Sequence, residues 1–156
     1  LWEGTRPLLV ELQALLDESQ GSYPKRVALG LDQNRLSMLL AVLHRHGGVH
    51  CGDQDVFVNL VGGVKTTETS TDLAGLAAIV SSLRGVALPQ DLVLFGEVGL
   101  SGEIRPVPSG QERIQEALKH GFKRAIIPYG NKPRQTIEGM DVVLVKKLSD
   151  LLSALF

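Results

Sequence analysis

Four leucines at helical spacing, bounded by a cap and a stop, constrain the fold of this chain more than any other feature. The stripe consists of Leu36, Leu39, Leu40 and Leu43. Steps of three and four residues place these side chains on one face of a helix. Asp32 is a suitable N-terminal cap, and Gly47 with Gly48 ends the pattern. Residues 55–61 then alternate as a strand does, so the chain combines two periods and predicts a mixture of helices and strands.

Other segments fall into the same two classes. Strands are predicted over residues 8–16, 26–30, 55–61, 92–95, 103–107, 123–128 and 142–145. Helices are predicted from Asp32, from Ser70, over residues 110–120 and over residues 149–156, with Ser149 capping the last. Residues 129–139 are expected to form a polar loop. Hairpins mixed with single crossovers predict an α+β fold, and 156 residues suit a single domain over residues 1–156.

Composition excludes several classes of protein. The 16 Lys+Arg residues balance the 17 Asp+Glu residues, so no basic field covers the whole chain. An aromatic content of 4% and the absence of a glycine-rich arginine tail argue against a base-stacking platform for single strands. Cys51 is the single cysteine, which excludes an internal disulfide framework and a cysteine-rich zinc site. No apolar run reaches the ~18 residues of a membrane span and no secretion signal opens the chain, so no membrane partner and a cytoplasmic location are expected.

Ser70 is the candidate nucleophile, and two interpretations of it stay open. A serine at a helix N-terminus could attack an acyl group whose oxyanion the backbone N–H groups stabilise. The residues from Thr69 to Asp72 are also all good capping types, and capping alone explains such a cluster. The spacing selects no catalytic base, although Lys65 and the four histidines are candidates.

Arg113 lies near the start of the predicted helix over residues 110–120. Arginine stays protonated at physiological pH, so it cannot take a proton from a serine hydroxyl as a buried lysine can. Its guanidinium group suits a carboxylate, with Glu112, Glu116 and Glu97 as candidates, or a phosphate.

Residues 55–128 resemble the proteolytic domain of the Lon proteases in the order of their elements. Two motifs differ from that family. Lon proteases carry Gly-Pro-Ser-Ala-Gly around the nucleophile, where this chain runs from Glu68 to Asp72, and they carry a catalytic lysine where this chain has Arg113. The resemblance implies a ribosomal-S5-domain-2-like fold, as in Lon proteolytic domains, with degenerate peptidase positions at Ser70 and Arg113.

A closer resemblance covers essentially the whole chain. Its longest segment runs from Gly102 to Arg113, and others lie at residues 30–36, 43–48, 61–65, 88–92 and 96–100. On these segments the chain resembles the C-terminal domain of the bacterial RadA/Sms DNA-repair proteins. The resemblance implies a role in recombinational repair, within an ATP-driven, ring-forming motor that moves on DNA and drives branch migration.

The same resemblance implies that the chain is part of a longer protein, as does its start at Leu1 without an initiator methionine. A zinc-binding segment and an ATPase core are expected upstream, so ATP, Mg and Zn are expected there and no cofactor in this domain. Residues 62–66 lack the glycine spacing of a phosphate loop, and nucleotide binding is not expected. His44 and His46 are interpreted as polar groups at a helix end, and no metal site is predicted.

The resemblance also implies the partners. These are DNA, further copies of the chain in a hexameric ring, and a recombinase or replicative helicase docked on a surface such as residues 129–139. Phosphate contact tolerates loose spacing and is expected to be independent of base sequence. The candidate cations are Lys25, Arg26, Arg45, Arg105, Arg113, Lys119, Lys123, Arg124, Lys132 and Arg134. We expect a catalytically silent domain. The alternatives are a residual Ser70-dependent peptidase and an adaptor domain that docks a helicase or recombinase.

Overall fold

The computed structural model describes residues 1–3, 6–62 and 66–156 of the chain. Lys65 and most of the stretch over residues 62–66 lie outside the described residues. The strands are β1 (Trp2–Glu3), β2 (Arg6–Pro7), β3 (Leu12–Glu18), β4 (Arg26–Leu29), β5 (Gln54–Leu60), β6 (Leu92–Leu94), β7 (Glu97–Val98), β8 (Ile104–Arg105), β9 (Arg124–Pro128) and β10 (Asp141–Val145). The helices are α1 (Gln33–Gly47), α2 (Asp72–Arg84), α3 (Gly110–Lys119) and α4 (Leu148–Leu155), with 3-10 turns over Thr69–Thr71 and Tyr129–Asn131. Among the described residues, none of the helices combines the length and the hydrophobicity of a transmembrane span.

The first sheet contains β3, β5 and β4, with β5 in the middle. β5 runs antiparallel to β3 and parallel to β4, so a crossover through α1 connects the parallel pair. Val56 and Val58 of β5 are buried in the main core, which leucines of α1 and α2 complete. Alternation along β5 therefore turns every second side chain toward the two helices.

The opposite face of this sheet stays uncovered by the described residues. Leu15 of β3 and Leu29 of β4 are 59% and 58% exposed. Phe57 of β5 lies directly opposite Leu15 on one side and Val27 on the other. The result is an apolar surface across three strands, which we call the outer sheet face.

The second sheet contains β10, β9 and β6, all parallel, with β9 in the middle. Ile126 of β9 joins the main core together with Leu148 of α4, whereas Ala125 and Ile127 pack with Ile114 of α3 in a second apolar cluster. Both faces of β9 are therefore covered, as is usual for a parallel sheet.

A short hairpin of β7 and β8 lies beside the end of α1. Gly102 in its turn has a φ of +80°. A Cβ atom at Gly102 would lie 2.9 Å from the Cβ atom of His46. Glycine is required here both for the backbone conformation and for the close approach to α1.

The architecture confirms the prediction of an α+β fold. The leucine stripe is confirmed as the buried face of α1. Asp32 caps the helix as expected, since its carboxylate accepts a hydrogen bond from the Asn34 N–H at 3.1 Å. Gly48 adopts the left-handed conformation at the other end, with a φ of 65°.

Two predicted strands are shorter than expected. The strand predicted over residues 8–16 begins only at Leu12, and the Leu8 N–H donates to the Leu1 carbonyl instead of to a strand of the sheet. The strand predicted over residues 103–107 is reduced to Ile104–Arg105. Pro106 has no N–H to donate, and the Val107 N–H donates to the side chain of Asn131.

The predicted cap of the last helix is wrong. Ser149 lies inside α4, and Lys147 occupies the N-cap position. The Asp150 carboxylate accepts hydrogen bonds from the N–H groups of Lys146 and Lys147, at 2.9 and 3.2 Å. The residues expected to form only a polar loop, 129–139, also contain the 3-10 turn and the buried side chain of Ile137.

Candidate functional site

Ser70 and Arg113 share one carboxylate oxygen. The Ser70 hydroxyl donates a hydrogen bond to Oε1 of Glu68 at 2.7 Å. The Nη2 atom of Arg113 contacts the same Oε1, also at 2.7 Å. The two degenerate peptidase positions, 43 residues apart in the chain, therefore meet around Glu68.

The guanidinium group of Arg113 is held on several sides. Its side chain is 6% exposed, its Nε donates to the Pro108 carbonyl at 2.9 Å, and its central carbon lies 5.9 Å from the centre of the Phe95 ring. Pairing with a carboxylate and stacking on an aromatic face are the two contacts that suit a buried arginine.

The prediction that Arg113 pairs with Glu112, Glu116 or Glu97 is wrong. Glu97 pairs with Arg105, and Glu116 contacts His120. Glu112 is exposed on α3. The partner that the structure provides, Glu68, lies 45 residues before Arg113 and precedes the 3-10 turn that leads into α2.

The prediction that Thr69 to Asp72 cap a helix through their side chains is also wrong. Thr71 occupies the N-cap position of α2 without a side-chain capping bond, and its hydroxyl donates to the Glu68 carbonyl. Ser70 donates to Glu68, as described above. A 3-10 turn at these residues satisfies the backbone instead, since the Asp72 N–H donates to the Thr69 carbonyl.

The Leu73 N–H at the start of α2 is not free to stabilise an oxyanion. The Leu73 N–H donates to the Gly96 carbonyl at 3.2 Å, and the Gly96 N–H donates to the Ser70 carbonyl at 3.0 Å. An oxyanion hole requires N–H groups that point at the reacting oxygen. Here the segment between β6 and β7 takes up the Leu73 donor.

Ser70 and Arg113 lie at the wall of an open cleft of about 700 Å³. Ala74 and Ala78 of α2 contribute to it, together with Leu92 to Phe95 and the extended residues from Pro7 to Leu12. The lining is mainly apolar, so the polar cluster around Glu68 stands at the edge of a hydrophobic groove.

A buried ion pair supports this site from the opposite side of α2. The Asp72 side chain is 1% exposed and that of Arg35 is 28% exposed. The Nε and Nη2 groups of Arg35 donate to the Asp72 carboxylate, and the Val98 N–H donates to it at 3.0 Å. Burial raises the pKa of Asp72, whereas the bonds from Arg35 and Val98 act in the opposite direction. The pair joins α1, α2 and β7.

The structure divides the candidate DNA-contacting cations into three groups. Arg26 and Arg113 are used internally, Arg26 through bonds from its guanidinium group to the carbonyls of Gln54 and Cys51. Arg105 and Arg124 are exposed but paired with carboxylates. The exposed candidates that form no ion pair within the described residues are Lys25, Arg45, Lys119, Lys123, Lys132 and Arg134.

Sequence reasoning missed Lys146 and Lys147. Both side chains are exposed, and the Lys146 ammonium lies 4.4 Å from the centre of the Tyr129 ring. Two adjacent lysines between a strand and a helix were the available signal, but helix-end lysines are common on any solvated surface.

The described histidines and carboxylates do not gather into a metal-binding arrangement. No group of three or more His, Cys, Asp or Glu side chains within the described ranges is placed to hold a metal ion. The ring of His44 packs edge to face against His50, with 4.7 Å between the ring centres.

Comparison with known proteins identifies close relatives. A family model described as subunit ChlI of Mg-chelatase matches residues 32–131. The chain is 70% identical over 155 residues to the DNA repair protein RadA of Haemophilus influenzae, covering 99% of this chain and 34% of that protein. It is 71% identical over 153 residues to RadA of Escherichia coli, covering 98% of this chain and 33% of the relative, and 44% identical over 154 residues to RadA of Aquifex aeolicus, covering 99% and 34%.

These matches confirm the resemblance to RadA that the sequence segments indicate. The chain spans about a third of the length of the curated relatives it matches.

Proposed function

Because this chain belongs to the family described as subunit ChlI of Mg-chelatase and matches RadA proteins over nearly its whole length, we propose that it is a non-proteolytic Lon-like domain of a DNA repair protein. In this proposal the domain serves as an assembly and DNA-contact platform for an ATP-dependent branch-migration motor. The relatives are named as DNA repair proteins, and the assembly, the DNA contact and the branch migration belong to the proposal.

The shared oxygen of Glu68 is the observation that carries the non-proteolytic part of the proposal. A serine nucleophile needs a neighbouring base that can accept its proton. Arg113 cannot accept a proton, and the carboxylate that accepts the Ser70 hydrogen bond is ion-paired with Arg113. At the start of α2 the N–H groups of Asp72 and Leu73 donate to the carbonyls of Thr69 and Gly96, so these two groups are not free to stabilise an oxyanion. These features support a structural cluster in place of a catalytic one.

Two surfaces support the platform. The exposed cations without ion pairs offer contacts to phosphates at many positions, which suits binding that is independent of base sequence. The outer sheet face exposes two leucines beside Phe57, and exposed apolar patches of this kind mark sites of protein association. We propose that a neighbouring copy of the chain covers this face in a ring, with six copies as the expected number.

Finer features belong to the same proposal. The parallel β4–α1–β5 unit beside the antiparallel strand β3 is consistent with a ribosomal-S5-domain-2-like fold. The ATPase activity, with its ATP and Mg, and a structural Zn are assigned to other segments of a longer protein. A recombinase or replicative helicase is proposed as a further partner of that protein.

A serine-directed covalent probe tests the non-proteolytic assignment. We expect a fluorophosphonate to leave Ser70 unlabelled in the folded chain, because the Glu68 carboxylate that accepts the Ser70 hydrogen bond is ion-paired with Arg113. Intact-protein mass spectrometry measures the adduct, trypsin provides the positive control, and Ser70→Ala shows whether any adduct depends on Ser70. An adduct of one probe per chain that disappears in Ser70→Ala would establish the residual peptidase instead.

A further inference from the structure

Tyr129 and three lysines form an exposed surface where β9 and β10 end. Tyr129 is 47% exposed and starts the 3-10 turn after β9, and the Lys146 ammonium lies 4.4 Å from the centre of its ring. Lys132 closes the same turn, since its N–H donates to the Tyr129 carbonyl at 3.0 Å. Lys147 follows Lys146 in the chain. We call these four residues the Tyr129 surface.

The turn that presents Tyr129 is held rigidly. The Asn131 side chain accepts from the Val107 N–H at 2.9 Å and donates to the Val107 carbonyl at 2.8 Å. A Cβ atom at Gly110 would lie 2.7 Å from the Asn131 amide nitrogen, and one at Gly130 would lie 3.0 Å from Pro106. The turn thus packs directly on the residues before α3, and an aromatic ring on it is positioned before any ligand arrives.

The positive charge of the Tyr129 surface is not neutralised locally. The nearby carboxylate of Asp150 accepts bonds from backbone N–H groups, and that of Glu103 pairs with Arg105. None of Lys132, Lys146 and Lys147 forms an ion pair with another described residue. The Lys146 ammonium is therefore available to an anionic ligand beside the Tyr129 ring, and Lys132 and Lys147 contribute two further exposed charges from neighbouring positions in the chain.

We propose that the Tyr129 surface binds single-stranded nucleic acid, with an unpaired base stacked on Tyr129 and the adjoining phosphates on the lysines. The inference rests on the proposed contact with DNA. It specifies the surface that binds an unpaired strand and the contacts that hold its base and phosphates. Bases in a duplex are stacked on one another, so an aromatic ring on a protein surface meets only an unpaired base. A ring flanked by cations matches the alternation of base and phosphate along one strand. The low aromatic content limits the surface to a single stacked base.

Substitution of Tyr129 provides the test, with fluorescence anisotropy of a labelled oligothymidylate and of a duplex as the readout. Since stacking on one aromatic side chain contributes about 1–3 kcal/mol, we expect Tyr129→Ser to weaken single-strand binding about tenfold. Duplex affinity and the dependence of affinity on salt are expected to stay unchanged. Tyr129→Phe should retain wild-type affinity because the ring remains. Tyr23→Ser, which removes a tyrosine that is 90% exposed, is the matched control.

A second measurement separates stacking from charge. Replacing one thymine by 5-iodouracil allows ultraviolet cross-linking to a stacked aromatic side chain, and we expect the cross-linked peptide to contain Tyr129. Lys132→Ser should weaken both single-strand and duplex binding and reduce the salt dependence by about one phosphate contact.

Several results would overturn the inference. If the wild type binds DNA in a salt-dependent way but Tyr129→Ser binds a single strand normally, the DNA platform stands and the stacking site is wrong. Absence of any DNA binding by the wild type would remove both proposals. A polyglutamate peptide that competes for the surface, and whose own binding requires Tyr129, would identify an acidic protein segment as the ligand and would also overturn the inference.

Discussion

Replacing Asp72 with alanine is expected to lower the free energy of unfolding by about 4 kcal/mol, because it removes one partner of a buried ion pair. Arg35 would lose both bonds to the carboxylate, and the Val98 N–H would lose its acceptor. Arg35 is 28% exposed, so water compensates part of the loss on its side, but Val98 is 1% exposed. Urea unfolding followed by circular dichroism measures the change through the midpoint at a constant slope.

A surface aspartate in the same kind of pair provides the control. Asp141 pairs with Arg124 at 3.3 Å, and their side chains are 65% and 44% exposed. Asp141→Ala is expected to change stability by less than about 1 kcal/mol, as is usual for an exposed ion pair. Equal losses from the two substitutions would mean that Asp72 does not join α1, α2 and β7 in the way that its contacts indicate.

Replacing Arg113 with alanine is expected to cost about 3 kcal/mol of stability, although the family resemblance places this residue at a catalytic position. The substitution removes the charge beside Glu68, the bond to the Pro108 carbonyl and the packing on Phe95. The side chain is 6% exposed, so water does not replace these contacts without rearrangement. Urea unfolding again provides the measurement.

Two further variants test whether the stability depends on the guanidinium geometry and on the burial of Arg113. Arg113→Lys keeps the charge but not the planar fork, and about half of the loss is expected. Arg134→Ala removes an exposed arginine without an ion pair in the described residues and should change stability by less than about 0.5 kcal/mol. If Arg113→Ala were as stable as the wild type, the arginine would be retained for ligand contact and the structural interpretation would be wrong.

Local patterns in the sequence were sufficient for most of the helices and strands. The leucine stripe of α1, the Asp32 cap and the Gly48 stop depend only on residues close together in the chain, and all three were predictable. The α+β class followed from the same alternation of periods. Errors arose where distant residues decide the outcome, as at the strand predicted over 103–107, where the Asn131 side chain takes the Val107 N–H.

The candidate site likewise separates into residues that local patterns could identify and contacts between distant residues that they could not. Ser70 and Arg113 could be singled out from their residue types, but their common partner could not, because Glu68 meets Arg113 only in the folded chain, across 45 residues of sequence. Asp72 has the composition of a cap, yet its carboxylate turns toward Arg35, 37 residues earlier. Pairings across the fold carry no local signal in one sequence. The same limitation applied to Lys146, whose proximity to Tyr129 depends on the adjacent ends of β9 and β10.

The binding of DNA by the purified chain across a salt series, measured together with its mass in solution, tests the proposed platform most directly. We expect an assembly larger than a monomer. Its affinity for DNA is expected to fall about a hundredfold between about 50 and 200 mM salt, because each of a few phosphate contacts releases bound counterions from the DNA. A monomer that binds neither single-stranded nor duplex DNA at low salt would contradict the platform. In that case the assembly and the DNA contact would belong to other segments of the longer protein.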